Sequence, residues 1–142
     1  MKKYLFSNGT LSANLYSGSI LFLRLFIGIV MLSHGIPKLL SFSELSATFP
    51  DPLGLTPAFS LLLCIMAEVF CSILLIVGAF TRLATLPLIF NMLVAITVAH
   101  AGAPFSAKEL PIFYLVIYIF ILFFGPGKFS FDYFITNRSP KA

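Results

Sequence analysis

Charge is what this sequence has least of. Only 10% of its 142 residues are Asp, Glu, Lys or Arg, where an ordinary soluble domain carries about 25%. Such a chain cannot clothe a water-facing surface, and with 59% hydrophobic residues it is not a disordered polymer either. Cysteine is scarce too. Cys64 and Cys71 lie in one apolar run, and on a helix they stand about 10 Å apart, beyond the reach of a disulfide. There is no CxxC pair and no zinc-type spacing, so no metal set is read and the two thiols read as packing residues. A Gly-x-Gly-x-x-Gly loop is missing, which excludes the dinucleotide fingerprint. Nine Lys and Arg against five Asp and Glu leave a net charge of +4. They stand singly between apolar runs, and no basic face for nucleic acid results.

Long hydrophobic runs are what the chain has instead, with a mean hydropathy of +1.03. Four apolar segments cover about residues 17–40, 57–80, 83–101 and 107–124. A spanning helix needs about 20 residues to cross roughly 30 Å of hydrocarbon. Backbone groups in lipid must be bonded within their own segment, so helices are the economical solution. The pattern predicts an all-α membrane protein, a four-transmembrane-helix bundle forming one domain over residues 1–142. The stretch Ser41–Thr56, with Pro50, Asp51, Pro52 and Gly54, reads as an extended loop. Ala79–Arg82 and Gly102–Ser106 read as short turns, and Gly125-Pro126-Gly127 stops the last span. The tail from Phe129 to Phe134 suits either the headgroup layer or an unstructured end. The first apolar segment begins far from Lys2 and Lys3 and holds Arg24 and His34, so it reads as a retained span and not a cleaved leader. Lys2, Lys3, Arg82, Lys128, Arg138 and Lys141 fall on one side, Lys38 and Lys108 on the other. That bias predicts both termini in the cytoplasm and a multi-pass protein of the cytoplasmic (inner) cell membrane.

Ionisable groups inside spans are expensive and face protein or a water cavity. Arg24 and His34 fall in the first segment, with Lys38 at its outer end. Glu68 falls in the second, Asn91 and His100 in the third, and the fourth, charge-free after Glu109, offers only Tyr114 and Tyr118 beyond that point. Arg24, Gly28, Met31, Gly35 and Lys38 share one helical stripe. Its glycines serve either close helix packing or ligand access. Pro37 is expected to kink the first helix. His34 and His100 both lie about 26 Å from the inner edge, Glu68 about 18 Å and Arg24 about 10 Å. Side chains lean toward the N-terminus of their helix, so Glu68 leans outward and Arg24 inward. Glu68 is therefore expected to pair with His34, His100 or both, and not with Arg24. A protonated Glu68 bonded to backbone is the plainer alternative. Arg24 and Arg82 read as structural polar groups, Arg24 reaching headgroups or helix-end carbonyls. Asn91 reads as a hydrogen bond to a facing helix, on the opposite face from His100 if the helix is straight. Two histidines at one depth could ligate a b-type haem, but nothing in the sequence shows the room for one, and that reading is disfavoured.

Arg24-Leu25, Gly28, His34-Gly35 and Lys38 resemble the first-helix signature of the DoxX family. Glu68 with the Gly78 turn and Thr81-Arg82, Ala95 with His100, and Gly125-Pro126-Gly127 with Ser130 and Asp132 follow in the family's order, so the resemblance runs from Ser17 to Asp132. It implies a four-helix membrane protein. Some relatives are described as membrane subunits of thiosulfate:quinone oxidoreductase or of quinol oxidases, others as parts of membrane redox complexes that protect against oxidative stress. It carries over no catalytic set.

Quinol chemistry needs an apolar slot, a hydrogen-bond partner for each oxygen and a proton acceptor. Glu68, His34 and His100 are the candidate catalytic residues, and Lys38, Gly35 and Tyr114 the candidate substrate-binding ones. The expected function is a membrane subunit of a redox system that meets quinone or quinol through a polar cluster in the outer half of the bundle. Its expected partners are the bilayer, a soluble or membrane redox subunit, and further copies of itself. The alternative is a non-catalytic membrane anchor or assembly factor for a soluble oxidoreductase. A transporter is disfavoured, since no inverted repeat or paired broken helices are read.

Overall fold

The computed structural model describes residues 12–138. Among them, four helices are long and apolar enough to cross a membrane. Helix α1 (Ala13–Leu40) is opened by Ser12, whose side chain accepts from the Leu15 amide, and it continues through Pro37. A one-turn helix, α2 (Phe42–Leu45), begins the long loop. Helix α3 (Pro57–Val77) has Thr56 as its cap and Pro57 in its first turn, where a missing N–H goes unnoticed. Helix α4 (Thr81–Ala99) and helix α5 (Phe105–Phe124) complete the spans. A short helix α6 (Phe131–Arg138) follows.

Three of the eight span boundaries coincide with the sequence reading and the other five shift by two to four residues, most of them for reasons of local chemistry. The Ser12 cap starts α1 early. Gly78 adopts a left-handed conformation (φ 76°) and ends α3 at Val77. Asp132 then starts α4 at Thr81, because its two carboxylate oxygens accept from the amides of Phe80 and Thr81 at 2.7 and 2.9 Å. The tail that read as headgroup-layer or unstructured is thus a helix whose acid caps another helix.

Helices α1 and α3 pack as one antiparallel pair and α4 and α5 as another; α3 and α4 join the pairs at mid-height. The start of α1 and the end of α5 lie together at one end, the terminal end. There Tyr16 donates to the Phe124 carbonyl at 2.6 Å, and the Lys128 amide donates to Ser17 Oγ at 3.2 Å. The dry core lies toward this end and joins Ile27 and Met31, Cys71 and Leu75, Ala84, Leu88 and Met92, and Tyr118 and Ile121. Large side chains such as Phe22, Leu83, Phe113 and Phe123 point outward, as lipid-facing positions should.

Among the described residues of the spans, two stretches depart from α-geometry: Met66–Cys71 in α3 and Ala95–Ala99 in α4 are π-helical. Such turns recur where a helix must redirect side chains at a functional site.

Candidate functional site

Arg24 is the largest fully buried side chain, at 1% exposure. Its guanidinium donates to the carbonyls of Leu75 at 3.0 Å, Ile76 at 3.3 Å and Phe129 at 3.1 Å, and to that of Pro126. These are orphan carbonyls where α3 ends and backbone oxygens after α5, so the planar fork ties α1, α3 and the closing segment together. Of the two outcomes expected for Arg24, bonding to carbonyls is the one observed. Arg82 reaches the Phe123 carbonyl at 3.4 Å, joining α4 to the end of α5.

Glu68, equally buried at 3% exposure, sits in the π turn of α3. Its Oε1 accepts from Lys38 Nζ at 2.5 Å, from Asn91 Nδ2 at 3.0 Å and from Cys64 Sγ at 3.4 Å. The Lys38 ammonium also reaches the Cys64 sulfur at 3.5 Å. The expected pairing of Glu68 with His34 or His100 is therefore corrected: its partners come from Lys38 in α1, Asn91 in α4 and its own helix. Glycine explains the approach of α1. A Cβ on Gly35 would stand 2.8 Å from Glu68 Cβ and from Val69 Cγ2, and one on Gly28 2.5 Å from Ile76. The stripe of Gly28, Gly35 and Lys38 thus faces α3, and Gly35 is a close-packing residue at the level of Glu68.

His34 belongs to another neighbourhood. Its Nε2 and the Tyr114 hydroxyl share a hydrogen bond of 3.1 Å, the rings set edge to face with centroids 5.9 Å apart. His100 closes α4, and its ring Nδ1–H and its backbone N–H both donate to the Ala95 carbonyl, at 2.8 and 3.0 Å.

Between α3, α4 and the long loop lies a cavity of about 400 Å³, within the range of small-ligand pockets. Lys38, Cys64, Glu68, Asn91 and His100 give it polarity. Leu63, Phe90, Val94 and Val98 make its walls oily, and Phe49, Pro50, Pro52 and Leu53 cover it from the loop. The loop is fastened to α3 by Asp51, whose Oδ1 accepts from the Leu55 amide and from Ser60 Oγ at 2.7 Å. The first turns of α3 and the π turn of α4 scarcely touch, so the two helices diverge from their contact at Glu68 and the cavity fills the gap.

Three sequence-derived candidates, Lys38, Glu68 and His100, therefore line one cavity; His34, Tyr114 and Gly35 do not. Asn91 and Cys64, read as structural or packing residues, do line it. Asn91 and His100 share this cavity although a straight helix would oppose them, because the π turn Ala95–Ala99 between them rotates less per residue than an α-helix. Cys64 carried one signal in the sequence: it precedes Glu68 by one helical turn.

A bundle of four membrane-length helices with a carboxylate, an amine and an amide gathered on an apolar cavity defines a small multi-span membrane protein with an intramembrane polar site. The family model described as DoxX matches residues 19–101, and the chain belongs to the DoxX family. The match takes in α3, α4 and most of α1, hence every polar residue of the cavity. The chain is also similar to "Uncharacterized membrane protein Rv3486" of Mycobacterium tuberculosis (strain ATCC 25618 / H37Rv), 29% identical over 136 aligned positions that cover 85% of this chain and 83% of that one. No solved structure matches the chain.

Proposed function

We propose that this protein is the membrane subunit of a redox system and that its cavity receives the headgroup of a quinone or quinol from the bilayer. The observation that carries this reading is the Lys38–Glu68–Asn91 cluster on the wall of an otherwise apolar cavity, where α3 and α4 diverge. An apolar slot with a few convergent polar groups suits a lipid-soluble ring bearing two oxygens. Lys38 and Asn91 each keep N–H capacity for a ring oxygen, and Glu68 is the group we assign to proton exchange. His100 is a second acid–base candidate in the same cavity. His34 and Tyr114 lie on the α1–α5 side, and a role for them would be indirect.

In this reading the four spans act as one DoxX-type unit in the cytoplasmic membrane, with the terminal end in the cytoplasm and the cavity toward the outer face. The chain carries no dinucleotide fingerprint, so a partner subunit would complete the electron path.

The test is thermal unfolding of the purified protein in detergent, titrated with a decyl-tailed benzoquinone. A saturable rise in the midpoint supports the proposal, since a ligand that binds only the folded state stabilises it. No shift at saturation favours an anchor or assembly role, with the polar groups serving helix packing alone.

A further inference from the structure

The walls of the cavity are unevenly supplied with hydrogen-bond partners. The donors of Lys38, Cys64 and Asn91 all converge on Oε1 of Glu68. Its other oxygen, Oε2, is buried and has no partner among the described residues. A carboxylate oxygen shut away from water and left unbonded is costly, and it favours an occupant that supplies a proton donor. His100 adds a second acceptor. Its Nδ1 lies 2.8 Å from the Ala95 carbonyl, an atom that can only accept, so Nδ1 carries the hydrogen and Nε2 of the neutral ring keeps its lone pair. Asn91 donates through Nδ2 to Glu68, and its carbonyl oxygen makes no side-chain bond among the described residues. The residues that line this cavity thus hold three acceptors without a partner among the described residues: a carboxylate oxygen, a ring nitrogen and an amide oxygen.

We infer that the cavity selects the reduced, two-hydroxyl form of its ligand, a hydroquinone, over the oxidised quinone. This inference rests on the quinone reading above and adds which redox state the site prefers. Glu68 Oε2 accepts from one hydroxyl, and His100 Nε2 or the Asn91 oxygen accepts from the other. A quinone has only carbonyl oxygens at these places. It could accept from Lys38 or Asn91, but it would leave Oε2 without a donor. A charge-assisted hydrogen bond is among the stronger ones, and its presence in one redox form only corresponds to a preference of about tenfold or more. A tenfold preference for the reduced form raises the midpoint potential of the bound two-electron couple by about 30 mV.

The experiment uses the full chain in detergent and three probes of one shape: decyl-tailed para-benzoquinone, its hydroquinone held reduced by dithionite without oxygen, and the dimethyl ether of that hydroquinone. Affinities are read from the rise in unfolding temperature, with dithionite alone as the blank. The expected result is hydroquinone binding about tenfold tighter than the quinone, with the ether no better than the quinone. Glu68→Gln should abolish the preference for the hydroquinone; if that variant does not accumulate, the three probes decide alone. Equal binding of all three, or tighter quinone, overturns this inference and leaves the quinone reading standing. Binding of none overturns both.

Discussion

Lys38 and Glu68 meet because Gly35 packs at the level of Glu68, which leaves Lys38, three residues on, only about 4.5 Å farther along α1. Helix α1 and helix α3 are antiparallel, so the lysine stem leans toward the terminal end and the carboxylate leans the other way. The long, flexible stem closes the rest, whereas the short imidazole of His34 stands on the edge of the stripe and faces α5. The pair is asymmetric in exposure, with Lys38 at 30% and Glu68 at 4% by side chain. Removing either partner should hurt more than removing both, because a single change strands one charge or a set of donors. Lys38→Met and Glu68→Met are each expected to lower stability. The double variant should recover about 1 kcal/mol or more relative to the sum, as contacting charges do in such cycles. Thermal unfolding of the four proteins in one detergent measures it, and strict additivity would show the pair to be energetically uncoupled.

At the scale of elements, the contact between α1 and α3 depends on what a glycine lacks. A Cβ on Gly35 would meet the Cβ of Glu68 and a methyl of Val69, each at 2.8 Å. Gly35→Ala should therefore cost about 1–3 kcal/mol by overpacking and weaken ligand binding by moving Lys38 from Glu68. Gly18, in the same helix, has nothing within 4 Å of an added Cβ; Gly18→Ala should be neutral or slightly stabilising, as alanine is the better helix former. If the two substitutions behave alike in unfolding assays, the close approach at Gly35 is unimportant. Two devices hold the terminal end. Arg24→Ala removes four donated bonds to carbonyls and is expected to destabilise by about 2–4 kcal/mol. Arg24→Lys should rescue only part of that, since an ammonium lacks the fork that spans several acceptors. Asp132→Ala removes the cap on α4 and should cost about 1 kcal/mol. Limited proteolysis of the α3–α4 turn should then speed up; unchanged cleavage would mean that the turn holds without its cap.

Over the whole molecule, orientation is the property the Lys and Arg distribution bears on. A reporter active only in the cytoplasm, fused after Ala142, is expected to be active, and one active only outside the membrane is expected to be silent. The reverse result would invert the membrane placement proposed here and put the cavity toward the cytoplasm. The number of spans and their approximate lengths were legible in the residues: runs of about 20 apolar positions leave the chain few alternatives in lipid, and Gly125 marks the end of the last one visibly. The DoxX motifs were legible by their order. The short helix α6 was not, because its cap function needs Asp132 brought beside residues some fifty positions earlier.

The polar residues of the site were likewise visible one by one, as ionisable groups in the wrong solvent. Which of them meet was decided by the tertiary structure. In water, hydrophobic periodicity tells which face of a helix turns inward. In lipid the outward face is as apolar as the packed one, so that signal is absent and rotational facing follows from small residues and helix contacts instead. Gly28 and Gly35 turned α1 so that Lys38, and not His34, met Glu68. The π turn of α4 swung His100 to the side of Asn91, a phase shift that no straight-helix arithmetic contains. Composition and run length determined a four-span membrane protein; helix rotation and two π turns decided that it holds a cavity lined by Lys38, Glu68, Asn91 and His100.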